Sequence, residues 1–267
     1  MSRSIQLVHV SLVSHGHDLL VFNALLTLAK SLPANYQVTV WLTFNLQEPS
    51  LETAVDTQVW PFNLRKIHNI IPLGFGVNHN QAFIRAQQEG GATWFVVFNP
   101  DILVPADAEA FWNSLEHQAW PADVGLLCPS QVDEQGQPQD FARRLMTPWG
   151  LAARVFSRIV GSPPSGAAKS VAAADWVNGA CMVWRSEAFA ALRGFDERYF
   201  MYCEDTDICL RLQLAGWRMQ GADLTVVHDA RRNTGRNWRH LSWHIRSMLR
   251  LWGSRAYWAY LLRFKLL

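Results

Sequence analysis

Three short stretches of this 267-residue chain gather side chains capable of acid, base or metal chemistry. The first is Asn99-Pro100-Asp101, directly after the apolar run Trp94 to Phe98. Pro100 stops a strand ladder, so the Asp101 carboxylate stands just past a strand end. A simple Pro-Asp turn accounts for these residue types. A carboxylate so placed can also hold Mg2+ or Mn2+ against a diphosphate, because hard cations take oxygen ligands. The second stretch is Glu204-Asp205-Thr206-Asp207, preceded by the aromatic Phe200 and Tyr202 and closed by Gly216. Helix capping explains part of it, with Asp205 as a cap, acids in a first turn and glycine past the end. Three carboxylates in four positions exceed what a cap needs. Apolar neighbours raise a carboxylate pKa, which suits a general base. The third is His228, at the end of the apolar run Leu224 to Val227. It is read either as a satisfied strand-end polar group or as a metal ligand.

The elements that must position these groups alternate between strand and helix patterns. Gln6 to Val13 predicts a strand, and Asp18 is placed to cap a helix running to about Leu32. Gln37 to Phe44 predicts a second strand and Lys66 to Ile71 a weaker third. Gly74-Phe75-Gly76 reads as a turn before a helix over Asn78 to Gln88. The run Trp94 to Phe98 predicts a strand buried on both faces of a parallel sheet. Val124 to Cys128 predicts another, and Gly161 to Ser170 a lid or acceptor loop. Such alternation predicts an open, doubly wound α/β sheet, with ligands at the carboxyl ends of its strands.

Hydrophobic residues at 49 % and charged residues at 17 % place the chain with globular proteins. Its net charge of +2 conceals an asymmetry. Nine Lys or Arg and no Asp or Glu lie from Ala230 onward, leaving 15 basic and 22 acidic groups before it. The four cysteines have no CxxC spacing, which argues for reduced thiols in a cytoplasmic protein. The first strand has no cleavage signal, and no stretch has the roughly 18 apolar residues of a spanning helix.

In order and spacing, these segments resemble the family 2 glycosyltransferases, in particular the bacterial rhamnosyltransferase-like branch. The marks are Val13-Ser14-His15-Gly16-His17, Gly74-Phe75-Gly76-Val77-Asn78 and Asn99-Pro100-Asp101. They continue in Val177-Asn178-Gly179-Ala180-Cys181-Met182, Gly194-Phe195-Asp196-Glu197-Arg198-Tyr199-Phe200, Glu204 to Arg211 with Gly216-Trp217, and His228. The resemblance implies a GT-A fold, a Rossmann-like doubly wound mixed sheet. Its donor half would cover about 1–130, its acceptor half about 131–236, and amphipathic helices would follow at 237–267. It implies an inverting glycosyltransferase moving a sugar from a dTDP-, UDP- or GDP-sugar to a hydroxyl of a glycan or lipid-linked oligosaccharide in cell-surface polysaccharide synthesis. By position, Asp101 and His228 would hold Mg2+ or Mn2+, and Asp205 or its neighbour Glu204 would be the base. Ser14, His15, Asn78 and Asn99 would line the donor site, where Gly179 and Ala180 let backbone approach the sugar. Two departures stand out. Asp101 is followed by Ile102 and Leu103 rather than a second acid, and the second strand ends in Phe44-Asn45-Leu46 without an acid. The first departure leaves open an alternative, a sugar-nucleotide or glycan-binding subunit without catalysis. A nucleotidyltransferase is disfavoured, since no Gly-rich, basic phosphate loop follows the first strand.

In the tail, Trp238, Leu241, Ser242, Ile245, Met248, Leu249 and Trp252 recur at helical spacing, with Arg239, Arg246 and Arg250 away from the stripe. The stripe either packs on the domain or lies in a membrane surface with its cations toward anionic headgroups. The second option predicts a protein peripheral on the inner face of the cell membrane. No RNA- or DNA-binding module accompanies the basic tail, which argues against nucleic acid as a partner.

Overall fold

The computed structural model describes residues 6–105, 112, 113, 115, 120–151, 166–228 and 238–265. The expected boundary at 236–237 and residues 161–165 of the expected acceptor loop lie outside the described residues.

Eight strands form one mixed sheet in the order β3-β2-β1-β4-β9-β6-β10-β5. They are β1 (Gln6–Ser14), β2 (Tyr36–Phe44), β3 (Asn63–His68), β4 (Trp94–Phe98), β5 (Ile102–Leu103), β6 (Val124–Val132), β9 (Cys181–Arg185) and β10 (Arg218–His228). The short strands β7 (Ala142–Arg143) and β8 (Trp176–Val177) pair separately. β1 lies parallel to both β2 and β4, and β10 parallel to β6. β9 runs antiparallel between β4 and β6. The carboxyl ends of β1, β2, β3, β4, β6 and β10 therefore share one edge of the sheet with the amino end of β9. Every residue singled out for chemistry sits at or just beyond that edge.

Two apolar layers cover the sheet. On one face, α1 (Asp18–Ser31) and α2 (Pro49–Thr57) pack on Val8, Val10, Leu12, Val40 and Leu42. On the other lie α3 (Phe75–Gln88), α4 (Ser186–Ala191) and α5 (Glu204–Leu214). There Phe83, Phe95, Phe189 and Phe195 meet with ring centroids 4.8–5.5 Å apart. Each such aromatic pair adds about 0.5–1.5 kcal/mol beyond area burial. A third cluster joins α5 to α6 (Trp238–Trp252) and α7 (Arg255–Phe264) through Tyr199, Leu210, Leu251, Tyr257, Tyr260 and Leu261.

Several local expectations are adjusted. Asp18 is not the cap of α1: His17 occupies that position without a side-chain bond, and Asp18 is the first helical residue. Asp205 is likewise not the cap of α5, since Cys203 stands there and Asp205 lies in the first turn. α3 begins at Phe75, so Gly74 is its cap and Phe75-Gly76 are helical rather than a turn. β3 ends at His68, three residues before the expected end, and Ile70 and Ile71 are exposed. Among the described residues, no helix is long and apolar enough to cross a membrane.

Candidate active site

The antiparallel pairing of β5 with β10 sets His228 opposite Ile102 and thereby beside Asp101. His228 Nε2 lies 3.4 Å from Asp101 Oδ2. Asp101 Oδ1 and His228 Nδ1 are buried, and neither has a hydrogen-bond partner among the described residues. A buried polar atom without a partner is costly, and these two are the atoms of the pair that a bound ligand would satisfy. No group of three or more His, Cys, Asp or Glu able to hold a metal occurs among the described residues. The pair fits a hard divalent ion only as two protein ligands, with substrate oxygens completing the shell.

The acidic cluster at the start of α5 meets this pair through one backbone joint. Asn99 N donates to Ala180 O at 2.9 Å. One residue earlier, Gly179 N donates to Asp205 Oδ2 at 3.2 Å, and Thr206 N donates to Asp205 Oδ1 at 2.7 Å. A Cβ at Gly179 would stand 3.2 Å from Phe75 Cζ and 3.6 Å from Asp205 Cβ, so glycine keeps the backbone close to the carboxylate. Asn178 is locked by a reciprocal pair of bonds with Gln131, 2.8 and 3.0 Å long.

Glu204 and Asp205 differ in setting. Glu204 is 6 % exposed and its Oε2 has no partner among the described residues. Burial, then the charge of Asp205, pushes its carboxyl well above the ordinary range. Asp205 is half-buried at the surface of the cluster. Burial raises its carboxyl too, opposed by the backbone N–H groups of Thr206 and Gly179. Two carboxyl groups this close release protons as a pair rather than singly. Asp207 is structural: it pairs with Arg211 at 2.7 Å, and Arg211 also donates to the carbonyls of Leu192 and Gly194.

The turn that presents these acids is strained. Tyr202 and Cys203 have φ of 71° and 65°, a left-handed conformation that costs about 1–3 kcal/mol per non-glycine residue. Surrounding contacts hold it. Phe75 N donates to Phe200 O at 2.9 Å, with Gly74 packed so closely that a Cβ would come 2.7 Å from that oxygen. From the other side, Ser247 Oγ of α6 donates to Met201 O at 2.8 Å. Tyr202 Oη meets His240 Nδ1 at 2.8 Å.

At the carboxyl end of β1, Ser14 Oγ donates to Glu48 Oε1 at 2.7 Å. His15 is exposed, with its Nδ1 3.0 Å from Asn45 Nδ2. Asn69 Nδ2 bridges Asn45 Oδ1 at 2.8 Å and Asn78 Oδ1 at 2.6 Å, and Asn45 clamps both backbone polar groups of Leu73. The carboxyl ends of β1, β2 and β3 are thus tied to α3 by amides. Asn78 belongs to this scaffold, buried to 1 % exposure. Glu48 was missed in the sequence. The second strand does end without an acid, yet Glu48, four residues past it and 8 % exposed, turns back onto Ser14. Burial raises its carboxyl, and the Ser14 hydrogen bond opposes this. Its place immediately before Pro49, which opens α2, was the available signal. His79 is a core histidine: its Nδ1 lies 2.7 Å from Ser11 Oγ, and burial lowers its pKa to about 3.

A sheet order of 3-2-1-4 with an antiparallel strand beyond it, and an acid at its switch-point edge, is the arrangement of a GT-A fold. Comparison with known proteins agrees. The chain is 30 % identical over 261 residues to the N-acetylglucosaminyl-diphospho-decaprenol L-rhamnosyltransferase of Mycobacterium tuberculosis, covering 88 % of this chain and 79 % of that one. It is 30 % identical over 190 residues to the rhamnosyltransferase WbbL of Escherichia coli, covering 66 % and 69 %. The chain belongs to this family of rhamnosyltransferases and is a glycosyltransferase. Among solved structures, the fold matches a Pyrobaculum calidifontis mannosyltransferase in complex with GDP-Man and Mn2+ at TM-score 0.59 and 17 % identity, over 91 % of this chain and 64 % of that one. It also matches TarS of S. aureus at TM-score 0.52 and 16 % identity, over 83 % and 60 %. No protein-family model matches the chain.

Proposed function

We propose that the protein transfers a sugar, rhamnose on the pattern of its relatives, from a nucleoside-diphosphate sugar to a hydroxyl of a lipid-linked glycan, inverting the anomeric carbon. The observation that carries this reading is the Asp205 carboxylate. It is held by Gly179 N and Thr206 N one residue away from the Ala180–Asn99 joint that leads to Asp101 and His228. Each of its oxygens accepts one backbone N–H and keeps a second lone pair, so its orientation is fixed before substrate arrives while it can still take a proton. Burial raises its pKa, which makes it a better proton acceptor than an ordinary carboxylate. Asp205 takes the acceptor hydroxyl proton as that oxygen attacks C1. Glu204, buried behind it, is assigned as a neighbour that tunes it rather than as the base.

On the leaving-group side, Asp101 and His228 would hold Mg2+ or Mn2+. A divalent ion there supplies charge that offsets the negative charge growing on the departing diphosphate. Ser14, His15, Asn78, Asn99 and Glu48 shape the nucleotide side, and Gly179 and Ala180 leave room for the sugar. Incubating the protein with dTDP-, UDP- and GDP-sugars, a divalent metal and a polyprenyl-diphosphate-linked acceptor tests the reading through nucleoside diphosphate release. The limited protein ligand set at Asp101 favours a second reading, a binding subunit without catalysis. Tight nucleotide binding with no release from any donor would support that reading and refute the first.

Placement at a membrane surface is part of the proposal. The face of α6 toward the domain carries His240, Trp243, His244, Ser247 and Leu251, whereas Trp238, Leu241, Ile245 and Leu249 are 51–75 % exposed. Four residues of the stripe read from the sequence thus look away from the core and support an interfacial helix, whereas Trp252 packs on the third cluster and donates to Met146 O at 3.0 Å. Leu241→Glu with Ile245→Glu should abolish flotation with anionic liposomes and leave the fold intact. Undiminished flotation would refute the placement.

A further inference from the structure

Besides its buried face and its apolar stripe, α6 has a third face, on which Arg246 and Arg250 stand exposed with no ion-pair partner among the described residues. They point into a groove completed by Arg198, which belongs to the segment leading into the strained turn. The groove has two adjoining parts of about 370 and 540 Å³. Phe200 and Trp243, with ring centroids 5.0 Å apart, wall the inner part, and Leu249 of the exposed stripe lies at the outer one. Arg198 already shares one edge with Asp196, 2.6 Å away. The groove therefore holds three guanidinium groups against one carboxylate. The amino end of α7 opens on its rim at Ser254.

Three planar forks around a cleft are suited to phosphate oxygens, which arginine binds bidentately. Position makes the ligand more specific. The chain runs from Arg198 and Phe200 of the groove through the turn Tyr202-Cys203 to Asp205, and the same groove takes in Leu249 of the exposed stripe of α6. A lipid-linked acceptor presents the same sequence of chemistry: a sugar hydroxyl, a diphosphate, a hydrocarbon chain. We propose that Arg198, Arg246 and Arg250 form the binding site for the diphosphate of a polyprenyl-diphosphate-linked acceptor. The site orients the sugar toward the base while the lipid lies along Leu249 and Ile245. This rests on the transferase reading above, which supplies the acceptor class.

Farnesyl diphosphate, titrated calorimetrically into the full chain with EDTA present, probes the groove while keeping any metal-dependent diphosphate site silent. Arg246→Ala with Arg250→Ala should weaken binding at least tenfold, and Arg246→Lys with Arg250→Lys should recover part of the loss. Farnesol, which lacks the diphosphate, should bind the wild type and the alanine variant equally weakly. Alanine suits exposed helix positions, so an unchanged melting curve should accompany the loss. Equal affinity of wild type and alanine variant for farnesyl diphosphate would overturn the proposal. So would a variant that loses only phosphatidylglycerol vesicles, because the arginines would then serve bulk headgroups. Failure of the transferase reading would show separately, as intact titration without nucleoside diphosphate release.

Discussion

Replacing Asp205 by Asn changes one oxygen for an amide nitrogen and nothing in size. In the native protein both carboxylate oxygens accept backbone N–H groups, from Gly179 at 3.2 Å and Thr206 at 2.7 Å. The carboxamide can satisfy only one of them; its NH2 must face the other donor or turn toward the acceptor site. One poorly satisfied N–H costs about 1–3 kcal/mol, which a domain with two apolar layers and an aromatic cluster tolerates. The chemical loss is larger. Removing a general base costs about 10²–10⁴-fold in rate, or about 3–5 kcal/mol of transition-state stabilisation. The assay is steady-state release of nucleoside diphosphate with saturating acceptor. The expected result is a kcat at least a hundredfold lower, a donor KM within a factor of about three, and a melting temperature a few degrees down. The pH profile adds an independent check. The wild-type base must be ionised, so kcat/KM should climb as pH rises through the raised carboxyl pKa. The variant's residual rate should lack that limb. A variant turning over within threefold of wild type, with the acid limb retained, would remove Asp205 from the mechanism.

Three further outcomes are expected. Asp101→Ala should weaken nucleotide binding in Mn2+ by tenfold or more, about 1.4 kcal/mol, seen as a smaller thermal shift; binding insensitive to both the substitution and EDTA would refute a metal role. Glu204 has a raised pKa in the folded protein, so its contribution to stability is complete below the unfolded value and declines as pH rises through the folded one. Glu204→Gln should therefore gain in melting temperature relative to wild type as pH rises above the ordinary carboxylate range, and a gap constant with pH would contradict the assignment. Tyr260 Oη donates to Asp175 Oδ1 at 2.9 Å, beside Lys265 Nζ at 2.8 Å from the same carboxylate. Tyr260→Phe should lower stability by about 1–3 kcal/mol without changing nucleotide affinity, and an unaltered melting curve would show that α7 is held without that bond.

The parts of the fold set by local pattern were readable, and those set by long-range packing were not. Trp94 to Phe98 announced a doubly covered strand because no polar residue interrupts it, and it is buried throughout. Asp101 was legible as a strand-end carboxylate, but its contact with His228 depends on β5 and β10 pairing across more than a hundred residues. Periodicity found the stripe on α6 yet could not say which face the domain would take. That was decided by Ser247, His240 and Trp243 finding Met201, Tyr202 and Phe200. Glu48 escaped for a similar reason: an acid before a proline reads as loop chemistry until the fold brings Ser14 beneath it. The cap assigned to Asp205 failed because the chain enters α5 through Tyr202 and Cys203 at positive φ, an entry that propensity does not foresee.

The turn at residues 200–203 is gripped from both sides, by Phe75 N of α3 and by Ser247 of α6. That has a consequence for recombination between relatives. A chimera that exchanges only the donor half, or only the terminal helices, inherits one jaw of the clamp from each parent. Its turn would be matched to only one of the two jaws, and Asp205 would lose part of the support that positions it. The unit that can be exchanged without that mismatch joins α3's amino end, the turn and α6, although these lie at opposite ends of the chain. The conformation of the turn that carries Glu204 and Asp205 is thus inherited as a block, not as part of a movable domain.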